Sequence, residues 1–359
     1  MEINKIQEIT LNTEETIITA TLSAPDEWVI LMSSGNVIRH KIDEPTGKHL
    51  FSVQTGFSYS DGGFDLKAPS TIYTLDSIVV LVNDYKRHGF IHYPGKYRSL
   101  HLWREDYHAS ISRYPIALYK NELGVPHIIY GVAWNHVQIM NLDTRQVLTA
   151  AKSLIEENAE ERHIEFYKQH SEGNKLPWPR EYDYFYGKLS MSPNQQKFLS
   201  AGWVWGSFDL YIIYDLQHFI NSNRIAYQTI GGWEHCNRAV CWVNDSTVAI
   251  TYNPYTEGDE NATPDSPSEI HFYHVEGEQS FLEREVEIKE IDLVSATIAF
   301  NGSLNAIIAF SEKIGIAVFS LDGQVLYMDK NFRPDAYYPA ISSFIKKEDK
   351  TVLIYQMNF

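Results

Sequence analysis

Cysteine is nearly absent: the 359 residues hold two, Cys236 and Cys241, within CNRAVC. A disulfide framework needs more cysteines than this, and a redox or zinc pair of the C-x-x-C kind needs closer spacing. Both thiols are expected to be reduced, with Cys241 partly buried in a strand. Basic residues are also scarce, with 30 Lys and Arg against 46 Asp and Glu and a net charge of −16. A field of that sign repels phosphate backbones and anionic headgroups, which argues against nucleic acid and membrane surfaces as partners. No apolar run approaches bilayer-spanning length, and the opening MEINKIQEITLNTEET has no basic stretch leading into an apolar one. The expectation is a soluble, cytoplasmic protein. Three N-x-Ser/Thr matches, at Asn244, Asn261 and Asn301, have no export signal to support them and read as chance.

The common catalytic signatures are missing too. No G-x-S-x-G, G-x-G-x-x-G, P-loop or H-E-x-x-H pattern occurs, and no cofactor is implied. His163 and His170 are two helical turns apart rather than i and i+4, and His88 and His92 have no third ligand in view, so no metal site is expected. The acidic stretch NPYTEGDENATPDSPSE (253–269) lacks the ligand order of a calcium loop and reads as a mobile, solvated loop.

What the sequence does have is repetition. A tight turn followed by an apolar run appears as SAPDEWVILM, TLDSIVVLV, KNELGVPHIIY, SPNQQKFLSA, VNDSTVAITY, FNGSLNAIIAF and KKEDKTVLIY. With Val29, Ile78, Ile128, Phe198, Val248, Ala306 and Val352 as equivalent points, the spacings are 49, 50, 70, 50, 58 and 46. A second apolar run follows in most copies (VIRHKID, VQIMNLD, LYIIYDL, IHFYHVE, IAVFSLDG), then a more polar strand such as QVLTA or QVLYMD. Four strands per unit, grading from apolar to polar, is the pattern of sheets radiating from an axis. The regular period argues against a β-sandwich pair or a β-solenoid.

In these residues the chain resembles the WD-repeat β-propellers. SPNQQKFLSAG occupies the place of the family's Ser-Pro-Asp-Gly turn and Tyr214-Asp215 that of its Trp-Asp dipeptide, although no unit carries Trp-Asp itself and the Gly-His pair is missing. The resemblance implies an all-β, seven-bladed propeller formed as one domain over 1–359. Residues 3–12, INKIQEITLN, form an extra strand that would complete the final blade, because the last copy stops after its second strand. The long spacing between copies three and four marks an insertion at about 150–186. There Ala151, Leu154, Ile155, Ala159 and Phe166 fall at helical spacing, with Gly173 and Pro177 ending the run, which predicts one amphipathic helix between blades three and four.

In a propeller, loops joining second to third strands open on the same face as loops joining one blade to the next. That rule places Trp134, Trp203 and Trp205 in the first class and Trp103, Trp178 and Trp233 in the second, leaving only Trp28 and Trp242 to strands. Arg104, His108, Arg180, Asp183, His235 and Arg333 accompany them. Rigid rings with a few polar groups suit a peptide, a protein segment or a small polar ligand, so the expected function is that of a binding module. The same rings could instead simply pack the insertion onto the ring's mouth. The alternative function is a propeller-type hydrolase or lyase using Glu105, Asp106, Glu181 or Asp183 with His108 or His235.

Overall fold

The computed structural model describes the chain apart from residues 12–13, 43, 45, 57–60, 171–178, 180, 235–237, 256–261, 264–265, 278, 290 and 359, and the side chains at 233 and 234. Among the described residues the strands form seven antiparallel sheets, six of four strands and one of three. Six follow in order along the chain: blade one over 17–52, two over 70–103, three over 116–141, four over 185–234, five over 240–288 and six over 297–329. Blade seven takes Ala336–Tyr338, Ser343–Glu348 and Thr351–Asn358 from one end of the sequence and Glu2–Thr10 from the other. The N-terminal strand pairs with Thr351–Asn358 in a register running from Glu2 opposite Asn358 to Thr10 opposite Thr351. The result is a seven-bladed β-propeller. No helix among the described residues is long and apolar enough to cross a membrane.

The second strand of each blade shows why the sequence folds this way. WVILM, IVVLV and AIIAF have no polar side because a neighbouring blade covers each face. Val29 and Leu31 turn toward blade two, whereas Trp28, Ile30 and Met32 turn toward blade seven. Ile78, Val80 and Val82 pack against blade three, and Val79 and Leu81 against blade one. Each junction between neighbouring blades holds one such core, seven among the described residues, including the one that joins blade seven to blade one.

Three elements depart from the sequence reading. The copy KKEDKTVLIY is one strand out of phase: its turn joins the second and third strands of blade seven, so three strands precede the chain's end and not two. The true inner strand, Ala336–Tyr338, is only three residues long and carries little pattern of its own. In blade three, QVLTA forms no strand; a single bridge between Met140 and Val147 is all that pairs there. The Thr149 hydroxyl takes the Ile139 N–H at 2.9 Å, a side-chain bond where a ladder would have supplied a backbone one.

The insertion does form a helix, α1 (Ala159–Gln169), between blades three and four, or between the fourth and fifth when the composite blade is counted first. It is shorter than the periodicity predicts. Leu154 and Ile155 belong instead to a non-helical segment laid along 223–225, where the Ile225 N–H donates to the Ile155 carbonyl at 3.2 Å and the Glu157 N–H to the Ile225 carbonyl at 2.9 Å. No residue of α1 is buried. Gly173 and Pro177 lie outside the described residues, as do residues 256–261 and 264–265 of the acidic 253–269 stretch. A second helix, α2 (Leu216–Asn221), was not anticipated. Asp215 caps it by accepting the His218 N–H at 2.7 Å, while Tyr214 stacks on Phe198 and meets the Tyr182 hydroxyl at 2.7 Å.

Candidate functional site

The site is built on Phe185, the first residue of the inner strand of blade four. Its ring is fully buried, and five other rings surround it. Trp203 stacks on it at 3.7 Å between centroids with planes 7° apart, Trp134 tilts against it at 4.4 Å, Trp205 meets it edge-on at 4.8 Å, His108 edge-on at 5.1 Å, and Tyr107 lies at 6.3 Å. Strand pairing explains part of this, because Phe185 and Trp203 are register partners. Trp134 and Trp205 come from the turns between second and third strands of blades three and four. Tyr107 and His108 come from the connection between blades two and three. Tyr107 is 50% exposed and Trp205 47%, so the cluster has a buried floor and an open rim.

The 104–112 connection is held rigidly enough to place His108. Arg104 is 4% exposed and spends its guanidinium on backbone carbonyls: Nε–H donates to Lys86 at 2.8 Å, and Nη2 to Ala109 at 3.0 Å and Ser112 at 2.8 Å. It also lies over the Tyr114 ring at 4.6 Å. Burial lowers its pKa to about 10, which still leaves it charged at neutral pH. Sequence reasoning placed Arg104 at the ligand; the fold makes it the clamp of the loop. His108 adopts φ 53°, and its carbonyl accepts the N–H of Ser112 at 3.0 Å, closing a turn. The Ser112 hydroxyl in turn accepts the Trp203 indole N–H at 2.9 Å.

The other expected site residues are dispersed. Trp103 is 44% exposed beneath the Arg87 guanidinium, 4.6 Å above its ring, and makes no ring contact with the cluster. Asp183 is exposed and borders a groove of about 520 Å3 between blade four and α1, shared with Arg162, His163 and Tyr227. Arg333 lies between blades six and seven, 3.5 Å from the exposed Glu312 carboxylate. Trp178, Arg180 and His235 fall outside the described residues, and of Trp233 only the backbone is described. Two members of the cluster were not singled out from the sequence, Tyr107 in HLWREDYH and Phe185 in YDYFYG. Tyr107 stands next to His108 and needed only the loop rule that found its neighbour.

No protein-family model matches the sequence, and no curated protein matches it. Among solved structures the chain is similar to the WD40 β-propeller domain of Doa1. That similarity has a TM-score of 0.54 at 10% sequence identity and covers 99% of this chain and 97% of the other. At that identity the likeness is one of fold, a propeller of the WD40 type.

Proposed function

We propose that the protein is an interaction module whose aromatic cluster receives an extended segment of a partner protein. The observation that carries this is the pairing of a fully buried floor, Phe185, with two half-exposed rings, Tyr107 and Trp205, on loops that hydrogen bonds have already fixed. Large rings presented in a set conformation give contact area at small ordering cost, which is what a binding hot spot needs. The hydrolase reading has less support. Glu105, Asp106, Glu181 and Asp183 are all exposed, whereas a carboxyl that donates a proton near neutral pH needs a desolvated setting.

Selection of a random 12-residue peptide library on the folded protein tests the proposal. Selected peptides carry apolar or aromatic anchors, and Trp205→Ala or Tyr107→Ala weakens them by about 2 kcal/mol or more, roughly thirtyfold, with the melting temperature unchanged. Phe185→Ala acts on stability instead, at a cost of about 3 to 5 kcal/mol. Peptides that bind both exposed-ring variants as well as the parent would remove the cluster from the binding site.

A further inference from the structure

The insertion that breaks the repeat leaves a groove beside blade four. Helix α1 buries none of its residues, and ion pairs hold its first turns, Arg162 to Glu156 at 2.5 Å and Glu160 to Arg224. Two cavities run along it. The one of about 520 Å3 described above has Leu210 and Ile212 in its floor, and a second of about 620 Å3 has Ile213 and Ile225. These four side chains are buried, whereas Tyr227 is 36% and Phe166 42% exposed at the walls. Glu156, Arg162 and Tyr227 line both cavities, so the two meet at the Glu156–Arg162 bridge and form one groove.

The charge on this groove is mostly of one sign. Among the described residues its walls carry Glu156, Glu157, Glu181, Asp183 and Asp215 against a single guanidinium, that of Arg162. Glu156 is spent on Arg162, and Glu157 pairs with His218 Nε2 at 2.6 Å and accepts from the Ser222 hydroxyl at 2.9 Å. Glu181, Asp183 and Asp215 are exposed and have no ion pair among the described residues. No three acidic, histidine or cysteine side chains among the described residues are placed to hold a metal ion, which leaves a cation spread along a chain as the matching charge. Arg162 already shows the fit: a guanidinium reaching into the groove and met there by a carboxylate.

We propose that the groove between α1 and blade four is a second docking surface, and that its occupant is a basic extended segment of a partner protein. Lys or Arg would face Glu181, Asp183 and Asp215, with apolar side chains on the floor between them. Long basic side chains lay their methylene stems on apolar surface while the charged head reaches outward to a carboxylate, and the walls at Tyr227 and Phe166 supply that surface. Opposite charge across such a contact selects the partner and speeds encounter. This surface does not rest on the function proposed above, because none of Tyr107, Trp134, Trp203 and Trp205 lines it.

The test uses a fluorescein-labelled peptide of three Lys-Leu-Gly repeats, with three Glu-Leu-Gly repeats as its acidic counterpart, titrated with the full chain and read by fluorescence anisotropy. The expected result is saturable binding of the basic peptide alone, weakening as salt rises, and a roughly tenfold loss in Glu181→Gln/Asp183→Asn/Asp215→Asn. Asn at 215 still caps α2. The triple variant Glu2→Gln/Glu44→Gln/Glu287→Gln removes the same charge from exposed positions of blades seven, one and five and should bind as the parent does. Phe166→Ala, at an exposed position, should weaken binding with the melt unchanged. Equal losses in the two triple variants, or no loss in either, would overturn the groove, since the attraction would then belong to the whole acidic chain or to another surface. A parent chain that sediments as a dimer and returns to monomer in Phe166→Ala would place a second copy there and overturn the basic occupant. The two docking readings fail separately: Tyr107→Ala/Trp205→Ala should leave the basic peptide bound, whatever it does to peptides selected from the library.

Discussion

Asp209 and Arg238 show what single residues contribute to this ring. They are 3% and 8% exposed, and the guanidinium bonds the carboxylate through two contacts of 3.1 Å. The Tyr211 hydroxyl closes the group, 3.0 Å from Asp209 Oδ2 and 2.5 Å from the Arg238 carbonyl. The pair ties the third strand of blade four to the entry of blade five. Asp209→Ala leaves a buried guanidinium without its carboxylate and should cost about 3 to 5 kcal/mol in urea unfolding; a loss under about 1 kcal/mol would mean water replaces the carboxylate. No local pattern marks such residues. Asp209 and Arg238 meet only when two blades pack, and Arg104 reads as a ligand residue because it accompanies Trp103 in a loop between blades, whereas its burial comes from carbonyls that the fold brings around it. Asn301 shows the same dependence. Its N-x-Ser pattern suggests a surface, yet it is fully buried, with its amide donating to the Tyr337 hydroxyl at 2.5 Å.

Among elements, those buried on both faces were legible and those held by side chains or by short pairing were not. The second strands of blades one, two and six read clearly because their central runs, WVILM, IVVLV and AIIAF, are apolar at every position. The inner strand of blade seven, the missing outer strand of blade three and the non-helical start of the insertion have no such signature, and each was misassigned or missed. The N-terminal strand is the most testable element. Most of its residues are exposed or half-exposed, but Ile9 packs into the junction of blades seven and one and Ile3 into that of blades six and seven. Removing residues 1–10 strips the ladder from Thr351–Asn358 and opens both cores. Thermal melts of the truncated chain should fall by many degrees; an unchanged melt would show that the ring closes without this strand.

For the whole molecule, histidine sets the response to acid. Burial lowers the pKa of His40, His92, His101, His127 and His136 below the ordinary 6.5. The unfolded chain therefore binds more protons than the folded one once pH drops through that value, and stability present above pH 6.5 is lost progressively below it. The carboxylates held low by partners, Asp61, Asp65, Glu157 and Asp292, add their own loss only near pH 4 and below. Melting temperature should thus already decline between pH 7 and pH 5, before carboxylate protonation; a flat profile over that range would contradict the burial of these rings.

The central claim is that the aromatic cluster on this face is where the ring meets its partner. It is tested most directly by affinity capture from the native cell with the parent protein and the Tyr107→Ala/Trp205→Ala double variant, with matched melts as the control for folding. The account predicts at least one protein that co-purifies with the parent and is lost from the folded double variant. The same set of proteins recovered with both would contradict it.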